Sequence, residues 1–522
     1  MWMQARLLNR GVKSREITLP APIKGLNKKD PISAMEMLYA NEMDNYIPLD
    51  GKVELRPGYR LYSTFSGGAK VKTLAAYRYP NYDRFFAFHD TKMYDITNPN
   101  EPVDMGISLS TSYCQTVQYK NYLYVLNGLD TPKVFYIDSN GDEHIDDWGF
   151  SGGNLQATRI IAGAVSKEFL WFVEKGSLRV WYVAQAGNIS GTLYSFDLAQ
   201  ISKWGGELVA VANWTIDGGT GIDDLTAFIT SEGEVLVYAG TNPNDASKWS
   251  LKGSYKISKP IGYRCVLPYQ GDMVIICQDG YFPFAKALAA ANAGDSLLAF
   301  SDNIRGLVID RTSKNKDKEG WQGIIYNKKG YGIFNVPTGE QFEQHVINIS
   351  TGAWCRFTNI NACCWCLFDD KIYFGAQDAV YRFDDGHDDN GLEISGVVEQ
   401  AFCDMGTPNL KRFSLLNPRT ASSTAYSLAI YTNTDYQKRN VSYAVTVGKA
   451  EGTKWNKSLW SSSSNPTGTY WSISRAETIN SEWIMNSSLG VKASIVFKTK
   501  TKGIAIDWYE TGVRYELGTG IV

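Results

Sequence analysis

Between Val71 and Phe383 the sequence repeats one pattern: an apolar or aromatic strand, a short polar turn, and a second strand with alternating bulky residues. Phe85-Phe86-Ala87-Phe88 precedes Met93-Tyr94-Asp95-Ile96, and Val117-Gln118-Tyr119 precedes Tyr122-Leu123-Tyr124-Val125. Phe169-Leu170-Trp171-Phe172 stands before Leu178-Arg179-Val180-Trp181, and Trp365-Cys366-Leu367-Phe368 before Ile372-Tyr373-Phe374. Period-two alternation around a polar turn is the signature of a β-hairpin. About seven hairpins, recurring roughly every 30 to 60 residues, match the length of four-stranded propeller blades with variable loops. The pattern therefore predicts a mainly β chain containing a β-propeller of about six to eight blades.

Composition agrees, with 48 Gly, 31 Tyr and 15 Trp in 522 residues supplying turn formers and strand-favouring aromatics. A formal net charge of −2 leaves no bulk positive field to hold nucleic acid by counterion release. The start, Met1-Trp2-Met3-Gln4-Ala5-Arg6, lacks the apolar core of a secretory signal, and no run of apolar residues is long enough to span a bilayer. A soluble protein made in the cytosol is expected.

Outside the hairpins three segments differ. Asp30-Pro31-Ile32 reads as an N-cap and first-turn proline, predicting a short helix through Met35, Leu38 and Met43 that ends near Asn45. The alanine-rich run Phe284 to Ala291 predicts an inserted helix, with a second through Leu297 to Ile304 and a charged loop from Lys314 to Gly320. Beyond Gly396, alternation at Tyr426, Leu428 and Ile430, at Val491 to Phe497 and at Ile504 to Leu517 predicts a β-sandwich, with Ser461 to Ser464 in an exposed loop. The expected organisation is an N-terminal segment, 1–65, joining a platform; a propeller, 66–395, with a helical insertion near 284–305; and a C-terminal sandwich-like platform, 396–522.

Candidate chemistry is sparse. The four histidines, His89, His144, His345 and His387, are scattered, and no nucleophile-base pattern can be nominated from spacing. No catalytic residue, cofactor or enzymatic activity is expected. Gly218-Gly219-Thr220-Gly221 lacks the strand-to-helix setting of a phosphate loop and reads as a turn. The cluster Cys363-Cys364-Trp365-Cys366 places Cys364 and Cys366 on one strand face, a structural pattern first and a metal or redox site second. Asp384, Asp385, Asp388 and Asp389 put four carboxylates on a Gly-containing loop, hard oxygen donors that suit Ca²⁺. The alternation of an EF-hand loop is absent, and a solvated turn leaving the last blade explains the run equally well.

Three islands carry a family resemblance: Gly25-Leu26-Asn27 with Val53-Glu54-Leu55-Arg56-Pro57-Gly58-Tyr59; Gln278 to Leu288 with Phe300 to Arg305; and Thr351 to Phe357 with Ile372 to Gly375 and Asp384 to Gly386. Together they resemble the tail nozzle, or packaged-DNA stabilisation, proteins of short-tailed bacteriophages. The resemblance implies a structural virion protein: a propeller on a platform made by both chain ends, six copies forming a ring in the short tail, assembled in the host cytoplasm. Such a ring would close the DNA exit channel, retain packaged DNA and conduct it at ejection. Its implied partners are adaptor or head-to-tail connector proteins, tail fibres or tip proteins, and genomic DNA passing without tight binding. The chain has little room for the large insertions some nozzle proteins carry. The alternative is a carbohydrate-binding or carbohydrate-cleaving propeller acting as a receptor-binding protein, its exposed aromatics stacking on sugars.

Overall fold

In a computed structural model the chain is described over residues 14–80, 82–217, 222–245, 247–269, 272–285, 299–439, 441, 443–448 and 478–518. It is mainly β and divides into two compact units: residues 59–346 with 357–385, and residues 1–58, 347–356 and 386–522. The divisions at 58/59 and 385/386 lie several residues before the positions read from composition. No helix among the described residues is long and apolar enough to cross a membrane.

The first unit is a β-propeller. Six small sheets form in chain order, opening at Val71–Tyr79, Gln115–Tyr119, Ile160–Ser166, Leu208–Asp217, Val266–Tyr269 and Cys364–Phe368. Each is a run of antiparallel hairpins, as in Val117↔Tyr124 and Leu123↔Phe135. The third sheet gains a short parallel strand, Phe150–Ser151. Between the fifth and sixth sheets the hairpin of Gln322–Tyr326 and Tyr331–Pro337 enters the ring, its first strand touching Val266–Tyr269 on one side and Cys364–Phe368 on the other. The sixth sheet takes its outermost strand, Tyr59–Thr64, from the segment that precedes the first blade, so the ring closes by hydrogen bonds between sequence-distant strands.

Aromatic side chains fill the spaces between blades. Phe85 of the first blade stacks on Phe368 of the sixth, with centroids 4.8 Å apart. Trp171 packs edge-on to Phe228 and stacks with Trp249, joining the third blade to the fourth. Each such burial contributes about 1.5–3 kcal/mol, so the bulky alternation is the main stabilising term of the ring.

The second unit is a sandwich built from both ends of the chain. In one sheet Ile506–Leu517 pairs with Lys411–Ser422 on one side and with both Ser14–Pro20 and Lys52–Leu55 on the other. In the other sheet Tyr39–Asp44 pairs with Ile394–Gln400, which pairs with Ala493–Thr501, and that with Tyr426–Thr434. Trp508 of the first sheet stacks on Phe497 of the second at 4.5 Å, and Tyr46 donates or accepts a 2.7 Å hydrogen bond with Thr499.

Two local expectations are corrected. Residues 31–34 form a turn rather than a helix, and Tyr39–Asp44 is a strand. That strand lies between Gly25–Leu26 and Ile394–Gln400, and hydrogen bonds to partners on both sides outweigh its local helical pattern. The described helix is Arg305–Asn315, preceded by a 3-10 turn, Asp302–Ile304, in place of a helix through Leu297 to Ile304. Val308, Thr312 and Asn315 are its buried residues, spaced to form one face, so the helix runs into the segment read as a charged loop. The expected helix after Ala285, the glycine run at 218–221 and the loop Ser461 to Ser464 lie outside the described residues.

Candidate functional site

Within the sandwich unit, Gly25, Arg56 and Gly58 of the first island converge with Trp354, Arg356 and Gly386 of the third. Arg56 is fully buried, its Nη1 and Nη2 donating to Oδ1 and Oδ2 of Asp389 at 2.8 and 2.7 Å, and its Nε to Asn45 Oδ1 at 2.8 Å. Asn45 holds the positive φ of +60° that amides tolerate, and its Nδ2 donates to Ser395 O at 2.7 Å. Pro57 ends the strand, and Gly58 N–H donates to Gly386 O at 2.8 Å. A Cβ on Gly58 would lie 2.0 Å from Asp388 O, so only glycine permits this approach. The stretch that leaves the sandwich and the stretch that returns to it are thus locked side by side.

The Trp354-Cys355-Arg356 island joins the same cluster. Arg356 Nε and Nη2 donate to the two oxygens of Asp44, both at 2.7 Å, and Asn45 N–H donates to Arg356 O at 2.8 Å. Gly25, at φ +79°, passes so close to Trp354 that a Cβ would meet its carbonyl oxygen at 2.4 Å. Two bidentate arginine–carboxylate pairs, the first held further by Asn45, make this a rigid joint.

The carboxylate run does not gather into one cage. Asp384 accepts from Tyr326 Oη at 2.8 Å and lies 3.8 to 3.9 Å from Lys329 and Lys328. Asp385 pairs with Arg382, Asp388 accepts from Gly391 N–H, and Asp389 is held by Arg56. His387 contributes its carbonyl to Gly503 N–H. Each aspartate is turned toward a different donor, and among the described residues no three His, Cys, Asp or Glu side chains are grouped to hold a metal ion. Ca²⁺ needs six to eight converging oxygens, which this geometry does not supply.

Inside the propeller a cavity of about 690 Å³ follows the axis, lined by the first strand of every blade. Its lining includes the small residues Gly163, Ala212 and Gly323, and Thr116, Gln115 and Asn213 add polar groups. Arg264 reaches from the fifth blade to Lys72 O at 3.0 Å, to Thr73 Oγ1 at 2.6 Å and to Cys114 O, with its guanidinium 4.1 Å from the Tyr113 ring centre. It therefore ties the fifth blade to the first two across the ring. Among the described residues Asp272 is the one carboxylate of the lining, and burial raises its pKa although Met273 and Ala285 N–H groups and Trp214 oppose the shift.

Sequence reasoning missed three arrangements. Arg264 stands immediately before a hairpin and gave no signal. His89 Nε2 lies 2.9 Å from Asp378 Oδ1, which also accepts from Gly68 and Ala69 N–H groups, bridging the first and last blades. His345 is buried between Tyr281 Oη, 2.8 Å from its Nδ1, and Glu343 Oε1, 3.2 Å from its Nε2. Glu343 in turn accepts from Arg311 Nε at 2.6 Å, pinning the helix to the sheet. Cys364 and Cys366 both face the packing between the first and last blades, as alternation required. All eight cysteines are free thiols.

No family model matches the chain, and no curated protein matches it.

Proposed function

We propose that the chain is a non-enzymatic structural subunit of a short phage tail, six copies of which form a nozzle ring that retains packaged DNA and conducts it at ejection. The observation that supports this reading is the joint of Arg56, Asp389, Gly58 and Arg356. Residues of the first and third islands are engaged in holding two chain ends and a distant loop together, a mechanical role. A protein that withstands the pressure of a packed genome and the passage of DNA needs such rigidity more than a reactive site. With 52 basic and 54 acidic residues the ring would carry no net positive charge to slow DNA by phosphate binding at each step. Adaptor proteins on one side and fibres or tip proteins on the other are the partners this reading requires. Electron microscopy of the purified protein tests it: rings with an axial opening are expected, and dispersed monomers count against it.

One observation favours the second reading, a carbohydrate-binding receptor protein. A shallow cavity of about 320 Å³ on the third blade is lined by Asn154, Arg179, Trp181, Tyr194 and Ser195, with the Tyr194 side chain exposed. A sugar ring could stack on Tyr194 while Arg179 and Asn154 bond its hydroxyls. Glycosidic cleavage needs two carboxyl groups about 5–9 Å apart, and among the described residues the lining of this third-blade cavity contains none. Binding to a glycan array that is lost in Tyr194→Ala would favour this reading.

A further inference from the structure

One edge of the sandwich carries an outward face unlike the rest of the unit. Thr478–Ser481 and Ile484–Gly490 both pair with Lys411–Ser422, and among the described residues neither has a strand partner on its other side. Side chains alternate along each of the two strands, with the alternation broken at the exposed residues Ser481, Glu482 and Trp483 between them. Asn480, Ile484 and Asn486 point inward, Asn480 Nδ2 donating to Ser422 Oγ at 3.0 Å and Asn486 Nδ2 to Phe413 O at 3.1 Å and to Thr432 Oγ1 at 2.9 Å. These amide contacts fix the register, because a slip of one residue would bury the opposite set.

The register leaves Ile479, Ser481, Trp483, Met485, Ser487 and Leu489 facing out. Ile479, Trp483, Met485 and Leu489 are 64%, 37%, 76% and 60% exposed. Natural edge strands protect themselves with Lys, Pro or charged outward residues, and here the one exposed charge between Ile479 and Leu489 is Glu482, in the break between the two strands, with none on the strands themselves. The four large side chains leave roughly 500 Å² in water, near the upper end of the ~300–600 Å² typical of the largest patch on a monomer. A stable association needs about 800 Å² from each partner, so this face alone supplies more than half of one side. Its composition matches the centre of an interface, where Trp, Met and Arg are enriched: the Arg514 guanidinium lies 4.4 Å from the Trp483 ring centre, and the exposed Arg412 pairs across the sheet with Leu489.

We propose that the outward face of residues 479–489 is the surface by which one copy of this chain binds a second copy, with Trp483 and Met485 as its anchors. The proposal rests on the self-association in the ring reading and names the surface that performs it. Neighbouring copies in a closed ring each present this face once, so one substitution removes every contact of its kind.

The test compares the purified full-length protein with Met485→Glu and with Ile479→Lys by light scattering coupled to size exclusion. Both positions are exposed, and unchanged circular dichroism and melting temperature establish that the variants fold. The wild type is expected to be oligomeric, and each variant to associate at least ~30-fold more weakly, the effect of losing a hot-spot residue. Amide exchange in 479–489 should slow in the wild-type oligomer and not in the variants. Variants as oligomeric as the wild type overturn the proposed surface while leaving a ring intact. A monomeric wild type whose 479–489 amides are protected by another part of the same chain, or that engages a different protein through this face, also overturns it. Failure of the tail reading is distinguishable, since it would leave self-association unchanged and show only in genome retention.

Discussion

Arg56 and Asp389 are separated by 333 positions in sequence and joined by two parallel charge-assisted hydrogen bonds in the buried centre of the sandwich unit. Removing one partner leaves the other charge buried without compensation. Asp389→Ala is expected to cost about 3–5 kcal/mol, whereas the double replacement Arg56→Met with Asp389→Leu should cost clearly less. Denaturant midpoints of the three proteins check this; equal losses in single and double variants would contradict it.

Glycine substitutions separate steric from conformational need. Gly51 has a φ of +75° and nothing within 4 Å of the place a Cβ would occupy, so Gly51→Ala should cost only the left-handed penalty of about 1–2 kcal/mol. At Gly58 the obstacle is the backbone of Asp388, which cannot swing aside as a side chain would. Gly58→Ala is expected to lose on the order of 3 kcal/mol or more, measured by the same unfolding experiment.

The closing seam of the propeller should respond to acid. Asp378 is held below the usual carboxylate range first by its hydrogen bond to His89 and then by the Gly68 and Ala69 N–H groups. A carboxylate with a depressed folded pKa adds stability above its unfolded value, near 3.8, and loses it as pH falls through the lower folded value. The stability advantage of wild type over Asp378→Asn should therefore shrink as pH falls below about 4, through the lower folded value. A difference independent of pH down to acid unfolding would contradict the assignment.

Thiol chemistry follows burial. Desolvation pushes the thiols of Cys114, Cys265 and Cys366 up to about 12 and that of Cys363 to about 11. At pH 8 the native protein should react with an aromatic disulfide reagent at Cys403 first and at the other positions slowly, with all eight thiols reacting after unfolding. Fast native labelling of Cys363 or Cys364 would indicate an activated cluster there.

The propeller was legible because its signal is local: Phe85 to Phe88 and Trp171 to Phe172 announce buried strands through period-two alternation within a few residues. The strand Tyr39–Asp44 was not, since its partners lie at residues 25–26 and 394–400 and a local pattern cannot report them. The same limit hid the site. Asp384 to Asp389 reads in sequence either as hard oxygen donors for Ca²⁺ or as a solvated turn. Only the fold shows Asp389 committed to Arg56 and Asp384 to Tyr326, because the cations and donors that neutralise the row come from distant segments. The His89–Asp378 bridge was equally hidden, as ring closure brings together residues 289 positions apart.

DNA retention by a closed ring rather than by affinity is the central claim, and genome stability in particles measures it most directly. Particles assembled without this protein should package DNA and then lose it, becoming nuclease-sensitive, while the isolated ring binds duplex DNA only weakly at physiological salt. Particles that keep their genomes without the protein, or tight and steeply salt-dependent binding by the ring, would contradict the account.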